Sequence, residues 1–161
     1  MSASQIKIIL KPGKEQSMLR FHPWVFSGAI KSIQGKPEEG DLVEVFSSSG
    51  DFLGTGHYQI GSIAVRIISF TPAQINDDFW RERIGKAWDL RKSLPFFVNS
   101  GTDVFRLVHG EGDGLPGLVV DYYNGMAVMQ AHSIGMYRHR HEIAQAMHAV
   151  LGSRLTAVYD K

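Results

Sequence analysis

The residues best equipped to meet a polyanion are gathered in one stretch of the N-terminal third. Lys11-Pro12-Gly13-Lys14-Glu15 is followed by Arg20-Phe21-His22-Pro23-Trp24-Val25-Phe26-Ser27-Gly28-Ala29-Ile30. Cations supply phosphate contacts and planar rings supply stacking surfaces, so their interleaving has the chemistry of a surface for RNA. The competing reading makes the aromatics core residues, with Trp24 and Phe26 alternating inward along an extended segment and Ser27-Gly28 forming a turn.

A second concentration lies at 106–117, where Arg106, His109, Glu111 and Asp113 surround the glycines at 110, 112, 114 and 117. Glycines let backbone approach another surface closely, and loops on a rigid scaffold are where sites tend to sit. One reading is a loop contacting a partner domain or substrate; the other is a structural turn.

Other reaction classes are removed by what the sequence lacks. Gly112, Gly114 and Gly117 satisfy the bare G-x-G-x-x-G spacing. A phosphate loop needs a helix N-terminus behind its glycines, and here Pro116 and Leu118-Val119-Val120 lead into a strand. Glu111 and Asp113 would repel a phosphate, and no acid occurs near position 132 to meet a ribose hydroxyl. His139, His141 and His148 lack a carboxylate to complete a metal set, and 139 and 141 point to different sides of a helix. No serine sits in a strained G-x-S-x-G turn. The chain has no cysteine, which excludes disulfides, cysteine-ligated zinc and thiolate nucleophiles within these 161 residues.

The elements that must position these residues change character along the chain. Ile6–Leu10 reads as a short apolar strand, Pro12-Gly13 breaks it, and 14–21 has helical character. Strand-like runs follow at Leu42–Phe46, Phe52–Tyr58 and 63–70, separated by turn residues, a spacing that predicts a small barrel or sandwich. After Thr71-Pro72, Asn76 is placed to cap a helix with Asp77 and Asp78 in its first turn. Trp80, Ile84, Ala87 and Trp88 form its buried stripe, and the helix must stop near Pro95. Strands are predicted at Val104–His109, Leu118–Tyr123 and 126–132, the last two joined by an Asn124-Gly125 hairpin turn. A single helix over 136–151, stopped by Gly152, and a strand over 155–159 complete the pattern. The predicted architecture is α+β: a small β-barrel over 1–72, then a small α/β domain over 73–161 built as helix, three strands, helix, strand. The chain ends on a strand with no turn or cap after it, which reads as an interruption.

Charge is distributed unevenly beneath a net +1. Residues 1–36 carry Lys7, Lys11, Lys14, Arg20, Lys31 and Lys36 against Glu15 alone, while 37–72 carry five acids against Arg66. The first third is therefore the segment suited to nucleic acid. A secretory signal is missing from Met-Ser-Ala-Ser-Gln-Ile-Lys at the start, and no apolar run is long enough to span a bilayer. A cytoplasmic protein without membrane contact is expected.

Lys14-x5-Arg20-Phe21-His22-Pro23-Trp24-Val25-Phe26-Ser27-Gly28-Ala29, then Gly40-Asp41 leading into a strand, then Arg106-Leu107 with Gly110-Glu111-Gly112-Asp113-Gly114-Leu115-Pro116-Gly117-Leu118-x-Val120-Asp121, resemble the bacterial large-subunit ribosomal RNA cytosine-5 methyltransferases that open with a PUA domain. Two separated motifs occur in the family's order, and the resemblance covers essentially the whole chain. The resemblance implies a PUA module, a small linking domain and then a Rossmann-like domain that binds S-adenosylmethionine; the third is missing here. It implies ribosomal RNA as partner, with Lys11, Lys14, Arg20 and His22 approaching the RNA backbone and Trp24 and Phe26 stacking or supporting the loop. The 106–117 loop would face the missing domain or the target nucleotide. Cytosine-5 chemistry needs a cysteine thiolate adding at C6, so no catalytic residue is assigned and no cofactor is expected in this chain itself. Two further readings stand beside this one: a self-sufficient PUA-type RNA-binding module, and an interaction protein whose sheet edges and helices pair two copies into a homodimer.

Overall fold

The computed structural model describes residues 6–161, with the backbone alone for residues 96, 98 and 99. The start of the N-terminal segment read above for a signal, residues 1–5, lies outside the described residues. The chain divides into two compact units: residues up to Ala73 together with Ser133–Gly135, and Gln74–His132 together with Met136–Lys161.

The first unit is one curled six-stranded sheet, a half-barrel. Its elements are β1 (Ile6–Leu10), α1 (Gln16–Leu19), β2 (Trp24–Phe26), a 3-10 turn at Ser27–Ala29, β3 (Ile30–Gln34), β4 (Leu42–Phe46), β5 (Phe52–Tyr58) and β6 (Ile63–Ser69), in sheet order β2-β6-β5-β4-β1-β3. Strand β1 is parallel to β4 and antiparallel to β3. Period-two alternation selects the inner face: Ile8 and Leu10 from β1, Val43 and Val45 from β4, and Val65 and Ile67 from β6 meet Met18, Val25 and Leu53 in one core. Strands β5 and β6 approach so closely that a Cβ on Gly56 would lie 2.3 Å from the Arg66 carbonyl oxygen, so the residue there has to be glycine.

The sequence reading found β1, β4, β5 and β6 and did not name β2 or β3 as strands. Of the two readings of the aromatics, the one that turns Trp24 and Phe26 into the core does not hold. Val25 is 2% exposed and enters the core, whereas Trp24 is half-buried and Phe26 is 48% exposed. Edge strand β3 buries none of its residues fully, so it carries no alternation to detect.

The second unit contains α2 (Asp77–Ser93), α3 (Pro95–Ser100), β7 (Val104–His109), a 3-10 turn at Gly110–Asp113, β8 (Leu118–Tyr123), β9 (Met126–Ala131), α4 (Ile134–Arg138, its last three residues in this unit), α5 (Arg140–Leu151) and β10 (Ala157–Asp160). The sheet order is β10-β9-β8-β7, with β10 parallel to β9 and the other pairs antiparallel. The Asn76 side chain accepts a hydrogen bond from the Phe79 N–H at 3.1 Å, so the predicted cap forms. Trp80, Ile84, Ala87 and Trp88 are buried as their spacing requires. Trp88 stacks on Phe105 of β7 at 5.8 Å, and Phe105 continues to Tyr122 of β8 at 4.9 Å, which ties the helix to the sheet. At the hairpin, Asn124 and Gly125 have φ of 41° and 92°, the pair of positive values that a two-residue primed turn demands.

Two helix boundaries differ from expectation. Pro95 ends α2, but its fixed φ suits the first position of a new helix, and α3 starts there. The single helix expected over 136–151 is two helices, because His139 between them is non-helical (φ −91°, ψ 10°). The Arg140 guanidinium donates to the Tyr137 carbonyl at 2.8 Å, satisfying an acceptor freed by that break. Among the described residues, no helix is long and apolar enough to cross a membrane.

Candidate nucleic-acid interface

Helix α1 is a single turn whose termination sets the geometry of the basic and aromatic segment. The Phe21 N–H donates to the Met18 carbonyl (2.9 Å) and the His22 N–H to the Ser17 carbonyl (3.0 Å). This is the paired bonding of a Schellman cap, and it places Phe21 in the left-handed region, at φ 59°. Glycine is the usual residue there, because a side chain costs about 1–2 kcal/mol in that conformation. Phe21 nevertheless keeps its ring 72% exposed, touching Phe70 edge-on at 5.3 Å.

The chain then runs through three rings in quick succession. Trp24 stands nearly perpendicular to His22 (5.7 Å, 85°) and to Phe26 (6.4 Å, 87°). The Trp24 N–H donates to His22 Nδ1 at 3.2 Å, which puts the proton of a neutral His22 ring on Nε2. Lys11, Lys14, Arg20, His22 and Phe26 are exposed, and Trp24 is half-buried.

Lys11 and Lys14 do different things. Lys11 Nζ donates to the Gly28 carbonyl at 2.8 Å, and its N–H donates to the Ala29 carbonyl at 2.9 Å, so this lysine straps the 3-10 turn to the end of β1. Lys14 lines a cleft of about 340 Å³, together with Ser17 and Met18 of α1 and with Trp24, Val25 and Phe26 of β2. The structure thus brings Lys14, Trp24 and Phe26 to one cleft, with Lys11 fixing its border. Ser17 and Met18 were not among the residues singled out for the site from sequence; Phe21 was named among its rings, without the backbone strain that the structure shows. That strain has no sequence signal, because the helix stops without a glycine and the cap is visible only in the structure.

The 106–117 segment is built differently. The Asp113 side chain is 4% exposed and accepts hydrogen bonds from both Arg91 terminal nitrogens, at 2.5 and 2.7 Å, and from the His109 N–H at 2.6 Å. Arg106 forms a two-pronged pair with Asp121 directly across the β7–β8 ladder, at 2.8 and 3.1 Å, and that hydrogen bond raises its pKa above the ordinary guanidinium value. His109 and Glu111 are exposed. Asp113 is therefore held in a buried pair, whereas Arg106, though paired with Asp121, is exposed like His109 and Glu111.

These glycines do not fit S-adenosylmethionine. The stretch from Gly110 closes as a 3-10 turn, Gly114 is left-handed, and β8 rather than a helix follows. Among the described residues, no group of three or more His, Cys, Asp or Glu can hold a metal ion.

Comparison with known proteins agrees with this layout. Residues 8–70 match the family model described as PUA-like domain. The chain is 40% identical over 143 residues to ribosomal RNA large subunit methyltransferase I of Alteromonas mediterranea, covering 88% of this chain and 36% of that protein. It is 34% identical over 158 residues to the protein of the same name from Shigella boydii, covering 97% of this chain and 39% of the other. The chain thus spans little more than a third of the length of the curated relatives it matches. Among solved structures, a chain from Streptococcus mutans described as a SAM-dependent methyltransferase superposes with a TM-score of 0.82 at 23% identity, over 98% of this chain and 40% of that one. A methyltransferase complexed with SAH, SMU.776, gives 0.81 at 21% identity, over 96% and 40%. These two likenesses show the fold.

Proposed function

We propose that this chain is the RNA-binding front part of an S-adenosylmethionine-dependent ribosomal RNA (cytosine-5) methyltransferase, acting on large-subunit RNA in the cytoplasm. The observation that carries the reading is the PUA-like module over 8–70, in which exposed Lys14 shares a cleft with Trp24 and Phe26 and exposed His22 packs against both rings. The similarity to relatives named for large-subunit RNA methylation supports the substrate class. Cytosine-5 methylation needs a thiolate, and these 161 residues contain no cysteine. Their glycine-rich turn does not suit the methyl donor either. On this reading the chain contributes RNA capture, while the cofactor site and the nucleophile come from other sequence of the longer protein. The exposed His109 and Glu111 then face the catalytic domain or the target nucleotide.

The test is binding of the purified chain to ribosomal RNA at low and moderate salt, beside a Lys11→Ala/Lys14→Ala/Arg20→Ala variant. The expected result is affinity that falls with salt and is lost in the variant, since each phosphate contact contributes roughly 0.7–0.9 to the log–log salt slope. No binding at low salt overturns the assignment.

A further inference from the structure

We infer that the uncovered face of the second unit's sheet is where the catalytic domain of the longer protein docks, through an apolar contact. The inference rests on the reading above, in which this chain is one part of a methyltransferase, and adds the surface through which the parts meet.

Strand alternation gives this sheet two faces of unlike character. One face carries Phe105, Val120 and Tyr122, all buried, and α2 lies on it through the stack of Trp88 on Phe105. On the other face the register of β7, β8, β9 and β10 sets Val104, Tyr123, Met126 and Ala157 side by side in one row, with Val128 and Tyr159 in the next. Val104, Tyr123, Met126 and Tyr159 are 47–59% exposed. A contiguous apolar patch on a soluble protein marks a surface that something else covers.

The chemistry of the face selects the occupant. Of the lysines, arginines and acids in the four strands, Arg106 and Asp121 lie on this face and pair with each other, while Asp160 is turned toward Arg140 of α5. With its guanidinium already held by a carboxylate, the face offers RNA phosphates little. An apolar centre with tyrosine and methionine, bordered by an arginine, is instead the composition of a protein interface.

Its size argues for a domain of the same polypeptide rather than a second copy. Four strands about 4.8 Å apart, each about six residues long, present roughly 380 Å². A stable dimer takes about 800 Å² from each copy, about twice as much. Contacts between domains of one chain bury about 600–1,500 Å² in total, so about 300–750 Å² on each side, and the face falls in that range. Covalent linkage raises the effective concentration of the partner to about the millimolar level, so a contact of this size holds. More than three-fifths of each curated relative lies outside its match to this chain, which covers 36% and 39% of them, leaving ample sequence for such a domain.

The test exposes the longer protein and this chain alone briefly to hydroxyl radicals, without RNA, and reads oxidation residue by residue by mass spectrometry. Tyr123, Met126 and Tyr159 report on the face, and Tyr137 of α4, 51% exposed, is the reference away from the sheet. The expected result is oxidation of the three about 5-fold or more lower in the longer protein, at concentrations where sedimentation shows a monomer. Met126→Lys should restore oxidation of Tyr123 and Tyr159 in the longer protein and leave the thermal midpoint of this chain near that of wild type. Equal oxidation of the three residues in both wild-type proteins overturns the proposal. Protection that appears only with added ribosomal RNA, or only in a dimer, also overturns it, in favour of an RNA surface or of a contact between copies. Methyl transfer to large-subunit RNA is measured on the same longer protein. Transfer with an unprotected face leaves the function standing without the docking, and protection without transfer leaves the docking standing without the function.

Discussion

Arg91, in the last turn of α2, grips Asp113 in the glycine-rich turn through both terminal nitrogens, at 2.5 and 2.7 Å, twenty-two residues along the chain. The side chains are 12% and 4% exposed, so the pair is largely withdrawn from water. The same carboxylate accepts the His109 N–H, and the Arg91 Nε donates to the Arg106 carbonyl at 3.0 Å. One ion pair thus fixes the entry, the turn and the helix beside it.

Removing one partner leaves the other charge buried without compensation, which costs about 3–5 kcal/mol. Asp113→Asn and Arg91→Met are each expected to lower unfolding free energy by about 3 kcal/mol in urea titration. Arg91→Met/Asp113→Leu should lose less than the two single changes together. Single variants as stable as wild type would show that the turn holds itself.

Phe21 is the residue whose identity runs against its backbone. Phe21→Gly relieves the left-handed strain and loses the ring contact with Phe70, while Phe21→Ala loses the ring and keeps the strain. The glycine variant should therefore be more stable than the alanine variant by about 1 kcal/mol. If the exposed ring is there to stack on RNA, both variants bind RNA equally weakly despite their different stabilities. RNA binding that follows stability instead would place Phe21 in the fold alone.

The parts of this molecule legible in its sequence are those where local chemistry and tertiary structure agree. Asn76 with Asp77 and Asp78 announces a helix start, the stripe from Trp80 to Trp88 announces its buried face, and Asn124-Gly125 announces a hairpin. The basic and aromatic composition of 11–30 likewise marks a candidate surface. Which face of β2 turns inward stayed open in the sequence because Trp24 and Phe26 are the larger hydrophobes, yet it is Val25 that enters the core, with Trp24 half-buried and Phe26 exposed. The break at His139 was hidden because the helical periodicity continues across it. The division of labour between Lys11 and Lys14 depends on where the Gly28 carbonyl lies, which no local pattern encodes.

Strand β5 supplies a test of the first unit's packing. A methyl group at Gly56 would sit 2.3 Å from the Arg66 carbonyl oxygen and 2.9 Å from the Ile67 Cα, both backbone atoms that cannot rotate away. Gly56→Ala must push β5 and β6 apart, an overpacking change that costs about 1–3 kcal/mol or more. Gly28→Ala meets nothing within 4 Å and serves as the control, with near wild-type stability expected. A lower thermal midpoint for Gly56→Ala alone would verify the close approach of the two strands.

His139 gives the second unit a pH dependence of definite sign. The ring lies 5.0 Å from Trp80, in a cleft that also contains Asp77, Asp78, Arg81 and Glu142. Burial pushes its pKa below the ordinary 6.5; Glu142, with Oε1 3.9 Å from Nδ1, opposes that shift, and Arg138 adds to it. Because the folded state holds the proton less tightly than the unfolded chain, stability rises with pH wherever the unfolded histidine is charged and the folded one is not. The contribution is complete above pH ~6.5 and is lost as pH falls toward and through the lower folded value. Unfolding free energy measured at pH 7.5 and at pH 5.5 should therefore drop more for wild type than for His139→Gln, which keeps a polar side chain and cannot titrate. Equal drops would mean that protonated His139 is accommodated in this cleft and that Glu142 outweighs burial.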